Sequence, residues 1–306
     1  MKNIYIAGQE GMVGSAVCRL LNKKKISFIS CSRKNVDLTN YAQVEKWFKK
    51  NKPKIVINCA GKVGGILDNS LNQEQFINKN LLIGFNLINA SIKFNVDQFI
   101  NLGSACIYPK LTKLPIKEEY LLTSKLEDTN EGYAIAKIAT LKYCQFLKKK
   151  GFNFISLQPT NLYGINDNYD LKSSHVIPAL VRKFYDAKIK KIKYVKVWGS
   201  PNTTRDFINS DDLARLIVFI LGKNIEYDYI NVGSGREISI SRLIKIISKV
   251  TGFKGKIIYE TNMPAGQNRR VLDISKMVSI KFAPKINLEK GLLSYYKWFK
   301  SSYKKN

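Results

Sequence analysis

Tyr133 and Lys137 lie four residues apart in the stretch Tyr133-Ala134-Ile135-Ala136-Lys137. Residues i and i+4 share one face of a helix, so both side chains are predicted to reach the same site. An ammonium beside a phenol stabilises the phenolate, and we therefore expect the pKa of Tyr133 to be lowered. Ser104 follows an apolar run and is predicted to hydrogen-bond the same substrate oxygen. Together these residues have the chemistry of a proton donor or acceptor for a carbonyl group.

Cys106 and His175 are two further candidates for proton transfer. A thiol and an imidazole both titrate near neutral pH, so either can act as an acid or a base. Taken alone, an isolated cysteine in an apolar stretch is more often a packing residue. A lone histidine is a packing residue in about half of cases. With one histidine and five cysteines without a CxxC pair, we expect reduced thiols and no metal site.

A glycine-rich loop, Gly8-Gln9-Glu10-Gly11-Met12-Val13-Gly14, follows the first apolar run of the chain. Its glycines allow a tight turn, a close approach to a pyrophosphate and close packing of the next helix on the strand. The start of that helix also favours negative charge. The position of the loop between the first strand and the first helix predicts a dinucleotide site.

The end of the second apolar run bears on the choice of dinucleotide. An NAD site usually has an acid here for the ribose 2′-hydroxyl, whereas Ser32 and Arg33 offer groups that suit a 2′-phosphate. The residues favour NADP(H). Glu10 opposes this preference, because its carboxylate can point toward the same phosphate.

Short apolar runs alternate with amphipathic stretches, which predicts a doubly wound α/β fold with a parallel sheet. The helical stretches lie near 13–24, 40–50, 76–94 and 131–150. The predicted strands are Ile4–Ala7, Phe28–Cys31, Ile55–Ala60, Phe99–Gly103 and Phe154–Leu157.

The alternation loosens after residue 163, which predicts a smaller substrate lobe closing over the carboxyl edge of the sheet. We expect residues 1–162 to form the cofactor domain, with a return to the sheet at about 206–232. Residues 163–205 and 233–306 then form the lobe, with a helix near 175–188, a strand Tyr194–Trp198, a helix at 239–250 and a strand at 256–260.

The net charge of +28 invites a nucleic-acid function, but the excess lysines are spread along the whole chain. No helix-turn-helix, RRM or zinc-finger pattern accompanies them, so we expect no nucleic-acid partner. The charge suits polyanionic small molecules such as a dinucleotide and a sugar diphosphate. No apolar run is long enough to span a bilayer and no signal peptide is evident, which predicts a cytoplasmic protein without a membrane partner.

Several motifs make the chain resemble the GDP-L-fucose synthase family of extended short-chain dehydrogenases/reductases. They include Gly103-Ser104-Ala105-Cys106-Ile107-Tyr108-Pro109-Lys110, Tyr133-Ala134-Ile135-Ala136-Lys137-Ile138-Ala139, Pro159-Thr160-Asn161-Leu162-Tyr163-Gly164 and Ser174-His175-Val176-Ile177-Pro178-Ala179-Leu180. Further matches, from Val197-Trp198-Gly199 to Ile230-Asn231-Val232-Gly233, extend the resemblance over nearly the whole chain.

The resemblance implies NADPH-dependent conversion of GDP-4-keto-6-deoxy-D-mannose to GDP-L-fucose, by epimerisation at C3 and C5 and reduction at C4. It assigns Ser104, Tyr133 and Lys137 to reduction, and Cys106 and His175 to epimerisation. The chemistry agrees, because a C4 ketone acidifies the hydrogens at C3 and C5 and inversion needs a base on one face and an acid on the other. It also implies a homodimer formed through helices that cover the sheet.

The same resemblance implies the binding residues. The cofactor site is expected to include Asp37, Leu102, Gly103, Pro159, Asn161 and Leu162 besides the glycine loop, and the GDP-sugar site Lys183, Trp198, Arg205 and Arg270. Lys183 and Arg205 suit the diphosphate.

The chain departs from the family pattern at four places. Gln9-Glu10 replaces a usual His-Arg pair, Ala105 a serine, Asn209 a histidine, and Pro264-Ala265-Gly266 a usual Pro-Asp-Gly. The last change removes a carboxylate expected near the substrate.

Three other functions remain open from the sequence. The first is an enzyme related to the GDP-L-fucose synthases that acts on another GDP-4-keto-6-deoxy sugar, such as a heptose or colitose precursor. The second is a 4-epimerase that holds NAD, although Cys106 and His175 argue against this. A nucleotide-binding regulator or RNA-binding protein is disfavoured by the Ser104, Tyr133 and Lys137 set.

Overall fold

A computed structural model describes residues 3–261 and 268–303 of the chain. Its eleven strands are β1 Ile4–Ala7, β2 Ile29–Ser30, β3 Ile55–Asn58, β4 Gln98–Leu102, β5 Phe154–Pro159, β6 Asn161–Tyr163, β7 Tyr194–Trp198, β8 Thr204–Asn209, β9 Tyr229–Val232, β10 Glu237–Ser239 and β11 Lys256–Glu260.

The described residues also form ten α-helices. They are α1 Met12–Lys23, α2 Tyr41–Asn51, α3 Ile66–Leu71, α4 Gln73–Lys93, α5 Glu131–Lys149, α6 Val176–Ile189, α7 Ser210–Ile220, α8 Ile240–Thr251, α9 Ser275–Ser279 and α10 Leu288–Tyr303. Three short 3₁₀ turns lie at Ala105–Ile107, Glu118–Tyr120 and Asp128–Asn130.

Six strands form one parallel sheet in the order β2-β1-β3-β4-β5-β9. The strands β1 and β3 are buried along their whole length, because helices cover both faces. On one face Ile57 packs with residues of α1 and α7, and on the other face Val56 packs with residues of α2, α4 and α5. The predicted doubly wound α/β fold is confirmed.

A second apolar core lies beside the sheet. It is built from α6, α8 and α10 with aromatic residues such as Phe184, Tyr295 and Phe299. Two small sheets accompany it, one of β10, β8 and β6 and the other of parallel β11 and β7. That this part of the chain is a substrate lobe stays a prediction.

The predicted return of the chain to the large sheet is half wrong. β9 does pair with β5, as expected for Tyr229–Val232. The strand containing Asp206–Ile208 pairs instead with β6 and β10 in a separate sheet. Its apolar pattern reflects packing of Ile208 against the domain core, which a sequence cannot distinguish from pairing within the sheet.

Two negative findings apply to residues 3–261 and 268–303. None of the helices there is both long and apolar enough to cross a membrane. Nor do their histidine, cysteine and acidic side chains gather into a group that could hold a metal ion.

Candidate active site

The glycine loop between β1 and α1 has the shape that a pyrophosphate needs. Gly8 has φ of +82°, and a Cβ atom there would lie 2.7 Å from the backbone nitrogen of Ala60. A Cβ on Gly14 would collide with the carbonyl oxygen of Gly8, whereas one on Gly11 would make only an ordinary contact. No side chain caps α1 at Gly11. The residues therefore fit a dinucleotide, with the helix N-terminus available to its phosphates.

The loop after β2 brings charges of both signs together. Burial raises the pKa of the Cys31 thiol, and the nearby Glu10 carboxylate raises it further. Hydrogen bonds from Thr39 lower the pKa of Asp37, and the Arg33 guanidinium also contributes. Glu10 and Arg33 are both exposed. The opposing effects of Arg33 and Glu10 on a 2′-phosphate stay a prediction.

The remaining cofactor candidates lie along the same edge of the sheet. Gln9, Met12 and Val13 belong to the glycine loop or the start of α1, and Ser32 begins the turn after β2. Leu102 ends β4, Gly103 follows it, and Pro159, Asn161 and Leu162 lie where β5 leads into β6. The side chain of Asn161 donates a hydrogen bond to the carbonyl oxygen of Asp206 at 2.9 Å, and this bond links β6 to β8.

Tyr133 and Lys137 lie one turn apart on α5, as predicted. Both are buried, with 8% and 7% of their surfaces exposed, and the Lys137 Nζ atom lies 5.7 Å from the centre of the Tyr133 ring. Lys137 donates to the carbonyl oxygen of Leu102 at 2.9 Å. Ser104 follows the same strand, and its Oγ accepts the backbone N–H of Cys106 at 3.1 Å. The structure therefore brings the three residues together.

The predicted direction of the Tyr133 pKa shift is wrong. Burial raises the pKa of the phenol, the neighbouring Cys106 adds to the rise, and a hydrogen bond with Ser104 opposes it. Burial also lowers the pKa of Lys137 to about 8. Desolvation destabilises both charged forms, and it is the largest cause of each shift. Tyr133 consequently keeps its proton at neutral pH.

Cys106 and His175 occupy more open positions. Cys106 is half-buried on the 3₁₀ turn after β4, close enough to Tyr133 to influence its pKa. His175 is the N-cap residue of α6 and has extended backbone angles, φ −77° and ψ 173°. Its side chain is exposed, yet the surrounding protein displaces enough water to lower the imidazole pKa.

Arg205 and Arg270 place two guanidinium groups near one another. Burial lowers the pKa of Arg205 to about 10, and the positive charge of Arg270 contributes. Arg205 donates to the carbonyl oxygen of Thr204 at 2.7 Å, and Arg270 donates to that of Ala105, beside Cys106. A dianion suits such a pair, because it offsets the repulsion between the cations.

Lys183 and Trp198 form a second contact in the lobe. The Lys183 Nζ atom lies 5.3 Å from the Trp198 ring centre and donates to the carbonyl oxygen of Lys196 at 3.2 Å. Burial lowers the pKa of Lys183. Trp198 remains 42% exposed, so its indole has a free surface for a flat or apolar ligand group.

Gln158 is a site residue that the sequence analysis missed. It is fully buried at the end of β5, and its Oε1 accepts the backbone N–H of Ser104 at 2.9 Å. A side chain on Gly103 would collide with it. The available signal was a polar residue at the end of the apolar run Phe154–Leu157, where a buried amide needs a partner.

Two of the four departures from the family pattern, Ala105 and Asn209, make hydrogen bonds in the structure. Ala105 is buried, and its carbonyl oxygen accepts from Arg270. The side chain of Asn209 caps α7 by accepting the N–H of Asp211 at 2.9 Å. Pro264-Ala265-Gly266 lies outside the described residues.

Comparisons with known proteins agree on one family. The profile of the NAD dependent epimerase/dehydratase family matches residues 4–233. A GDP-L-fucose synthase from Sinorhizobium fredii is 48% identical over 306 residues, which are all of this chain and 98% of the relative.

Solved structures agree with this match. A GDP-L-fucose synthetase from Naegleria fowleri bound to NADP is 26% identical with a TM-score of 0.91, covering 99% of this chain and 94% of its own. A GDP-mannoheptose C4 reductase from Campylobacter jejuni with NADP bound is 32% identical with a TM-score of 0.88, covering 98% of both chains.

Proposed function

We propose that this chain, which belongs to the NAD dependent epimerase/dehydratase family and within it to the GDP-L-fucose synthases, converts GDP-4-keto-6-deoxy-D-mannose to GDP-L-fucose. It is an oxidoreductase that also has epimerase activity. The observation that carries the proposal is the turn after β4, where Ser104 and Cys106 lie against the buried Tyr133. Groups for reduction and for epimerisation thus face one substrate position.

The cofactor is NADP(H). The glycine loop and the start of α1 would hold its pyrophosphate, and Ser32 and Arg33 would hold its 2′-phosphate. Pro159, Asn161 and Leu162, where β5 leads into β6, would lie near its nicotinamide. When bound, NADPH supplies the hydride that reduces the C4 ketone.

Tyr133 is the proton donor for the C4 oxygen. Its raised pKa keeps the phenol protonated until negative charge develops on that oxygen. Ser104 donates a second hydrogen bond to the oxygen. Lys137, with a pKa of about 8, is mostly an ammonium at neutral pH and stabilises the phenolate that proton donation leaves.

Cys106 and His175 exchange the protons at C3 and C5. The C4 ketone stabilises the carbanion formed at either position, so a weak base suffices to remove the hydrogen. The lowered pKa of His175 keeps its imidazole neutral at pH 7, in the form that accepts a proton. Cys106 then serves as the partner acid on the other face of the ring.

The diphosphate of the substrate fits the two guanidinium groups of Arg205 and Arg270. Lys183 adds a third cation near the exposed face of Trp198. Because Arg270 also holds the carbonyl oxygen of Ala105, the diphosphate site and the catalytic turn share one side chain.

A second candidate is the C4 reduction of a related GDP-linked heptose, which the similarity to the Campylobacter jejuni reductase favours. The two candidates differ in substrate and in what happens at C3 and C5. The test is incubation of the protein and NADPH with a panel of GDP-4-keto sugars. We expect stoichiometric NADPH consumption with the 6-deoxy-mannose derivative and an L-fucose product by NMR. Preferential turnover of a keto-heptose would favour the second candidate.

We also infer a homodimer formed through α4 and α5. Both helices expose apolar side chains, among them Leu82 and Phe85 on α4 and Ile135 and Phe146 on α5. A second copy of the chain would cover this surface. Light scattering should give twice the mass of the 34.9 kDa chain, and Phe85→Lys together with Phe146→Lys should give monomers.

A cytoplasmic location accords with the five free cysteines and with the use of NADPH.

A further inference from the structure

The segment that runs from the end of β3 into α4 makes contacts near His175 and near Tyr133. We name residues 61–80 the bridging segment; it contains α3 and the first part of α4. On the basis of the proposed function, we propose that Gly65 positions His175 for epimerisation and that Gln73 positions Tyr133 for reduction. In this proposal neither Gly65 nor Gln73 touches the reacting atoms.

The first contact of the bridging segment leads to His175. The backbone N–H of Gly65 donates to the carbonyl oxygen of Ser173 at 2.8 Å. A Cβ atom on Gly65 would lie 2.5 Å from the carbonyl oxygen of Ser174, which directly precedes His175. Only a glycine therefore permits this approach of two backbones. The contact fixes the strand-like entry into α6, where His175 is the N-cap residue.

Asn69 holds the glycine pair in place from α3. Its Nδ2 donates to the carbonyl oxygens of Gly64 and Gly65 at 2.6 and 3.1 Å, and its side chain is buried. A buried amide bonded to two successive carbonyl groups leaves the loop little freedom to move. Asn69 therefore acts on His175 through Gly65.

The second contact of the bridging segment leads to Tyr133. The Oε1 of Gln73 accepts the backbone N–H of Gly132 at 2.9 Å, and its Nε2 donates to the carbonyl oxygen of Asp128 at 2.9 Å. Gly132 directly precedes Tyr133 in the first turn of α5. The ring of Phe76, one turn after Gln73, packs edge-on against Tyr133 at 6.2 Å between centres.

The start of the bridging segment is also held by hydrogen bonds. Asn80 accepts the N–H of Lys62 at 3.1 Å and donates to its carbonyl oxygen at 3.0 Å, which ties the start of the loop to α4. The contact toward His175 and the contact toward Tyr133 therefore come from one segment that is held at its start. The separation of His175 from Tyr133 matters because one sugar ring must present C4 to the phenol and C3 and C5 to the proton-transfer groups. Misplacing a reacting group by about 1 Å can cost roughly 10²-fold in rate.

Two variants should separate the two halves of the reaction. Epimerisation is measured as deuterium incorporation at C3 and C5 of GDP-4-keto-6-deoxy-mannose in D₂O with NADP⁺ present, and reduction as its reverse, oxidation of GDP-L-fucose by NADP⁺. Gly65→Ala should lower deuterium incorporation about tenfold or more and oxidation less than threefold. Gln73→Leu should do the opposite. Asn69→Leu tests the His175 contact if Gly65→Ala fails to fold.

His175 provides a readout that is independent of activity, because it is the chain's one histidine. Its imidazole NMR signals need no assignment. They should shift in Gly65→Ala and Asn69→Leu and stay unchanged in Gln73→Leu. Ser70→Ala is the matched control, since this exposed hydroxyl of α3 donates to the carbonyl oxygen of Leu67 in the same helix. Gln73→Glu keeps an acceptor for Gly132 and should restore most of the oxidation lost in Gln73→Leu.

Equal loss of both half-reactions in Gly65→Ala and in Gln73→Leu, at unchanged melting temperatures, would overturn the inference. So would an unshifted His175 signal in both variants of the first contact, or no rescue by Gln73→Glu. A failure of the proposed function is distinguishable: the unmodified protein would then incorporate no deuterium, while the His175 signals would still report whether the bridging segment positions that residue.

Discussion

The helix α5 and the start of α6 hold their reactive groups in opposite ways. Tyr133 and Lys137 lie inside a long helix and are more than nine-tenths buried. His175 stands at the end of a loop, exposed to solvent, with its backbone outside the helix it caps. The residues proposed for reduction thus lie in the packed sheet domain. The proposed epimerisation pair is divided between the turn after β4, which carries Cys106, and the start of α6, which carries His175.

The difference fits the chemistry of each half-reaction. A proton donor that must stay protonated gains from burial, which raises the pKa of Tyr133. A base gains from access to water and from staying deprotonated, and His175 is exposed and has a pKa lowered by desolvation. We therefore expect substitutions in the two regions to give effects of different kind and size.

The largest expected effect is that of Tyr133→Phe. Losing the proton donor should lower the rate of reduction by about 10²-fold or more, while cofactor binding stays unchanged because the ring still packs against Phe76. Single-turnover oxidation of NADPH measures the rate, and fluorescence titration measures binding. Near-normal reduction by the folded variant would remove Tyr133 from its proposed role.

Cys106→Ser and His175→Asn should impair the other half of the reaction. Each should lose most deuterium incorporation at C3, C5 or both, and the two need not fail alike because a base and an acid have different tasks. Reduction should survive in part and give a GDP-6-deoxyhexose of the original configuration. If both variants exchange deuterium at the normal rate, Cys106 and His175 are packing residues and the contrast between the regions disappears.

A smaller effect is expected at the exposed glycine loop. Glu10→Arg should tighten NADPH binding by about tenfold more than NADH binding, because only NADPH carries the 2′-phosphate and solvent screens the new charge. Titration of the protein with each cofactor measures the two dissociation constants. Equal tightening of both would place Glu10 away from the 2′-phosphate.

The last expected effect is on stability and not on rate or binding, and it concerns Asp167, which is buried in the loop leading to His175. Burial raises its pKa from 3.8 to about 7, so the folded state binds the proton more tightly than the unfolded state. The resulting stability is complete below pH 3.8 and is lost as the pH rises through 7. Asp167→Asn should therefore stabilise the protein more at pH 8 than at pH 5, by roughly 2 kcal/mol.

Thermal melting of the Asp167→Asn variant and the unmodified chain at both pH values checks this expectation. The same difference in melting temperature at pH 5 and pH 8 would contradict it. It would also show that the loop admits water to the carboxylate.

The sequence predicts the sheet domain better than the lobe for a physical reason. Buried strands such as Ile55–Asn58 read as apolar runs, and the glycines at 8 and 14 are required by close backbone contacts within the loop after the first strand. The partner of the Asp206–Ile208 strand depends on which sheet lies nearby, and no local pattern encodes this.

The site shows the same limit. The spacing of Tyr133 and Lys137 predicts their shared helix face, yet the direction of the Tyr133 pKa shift depends on desolvation by residues distant in sequence. Gln158 and Gly65 act through hydrogen bonds to Ser104 and Ser173, which lie 54 and 108 positions away along the chain. Only the folded chain reveals such contacts.

The most direct test of the proposed function is NMR of the product formed in D₂O from the unmodified protein, NADPH and GDP-4-keto-6-deoxy-D-mannose. We expect GDP-L-fucose carrying deuterium at both C3 and C5, because both centres are inverted through exchange with solvent before C4 is reduced. A reduced product with hydrogen at both positions and the original configuration would show a reductase without epimerase activity, and would contradict the roles proposed for Cys106 and His175.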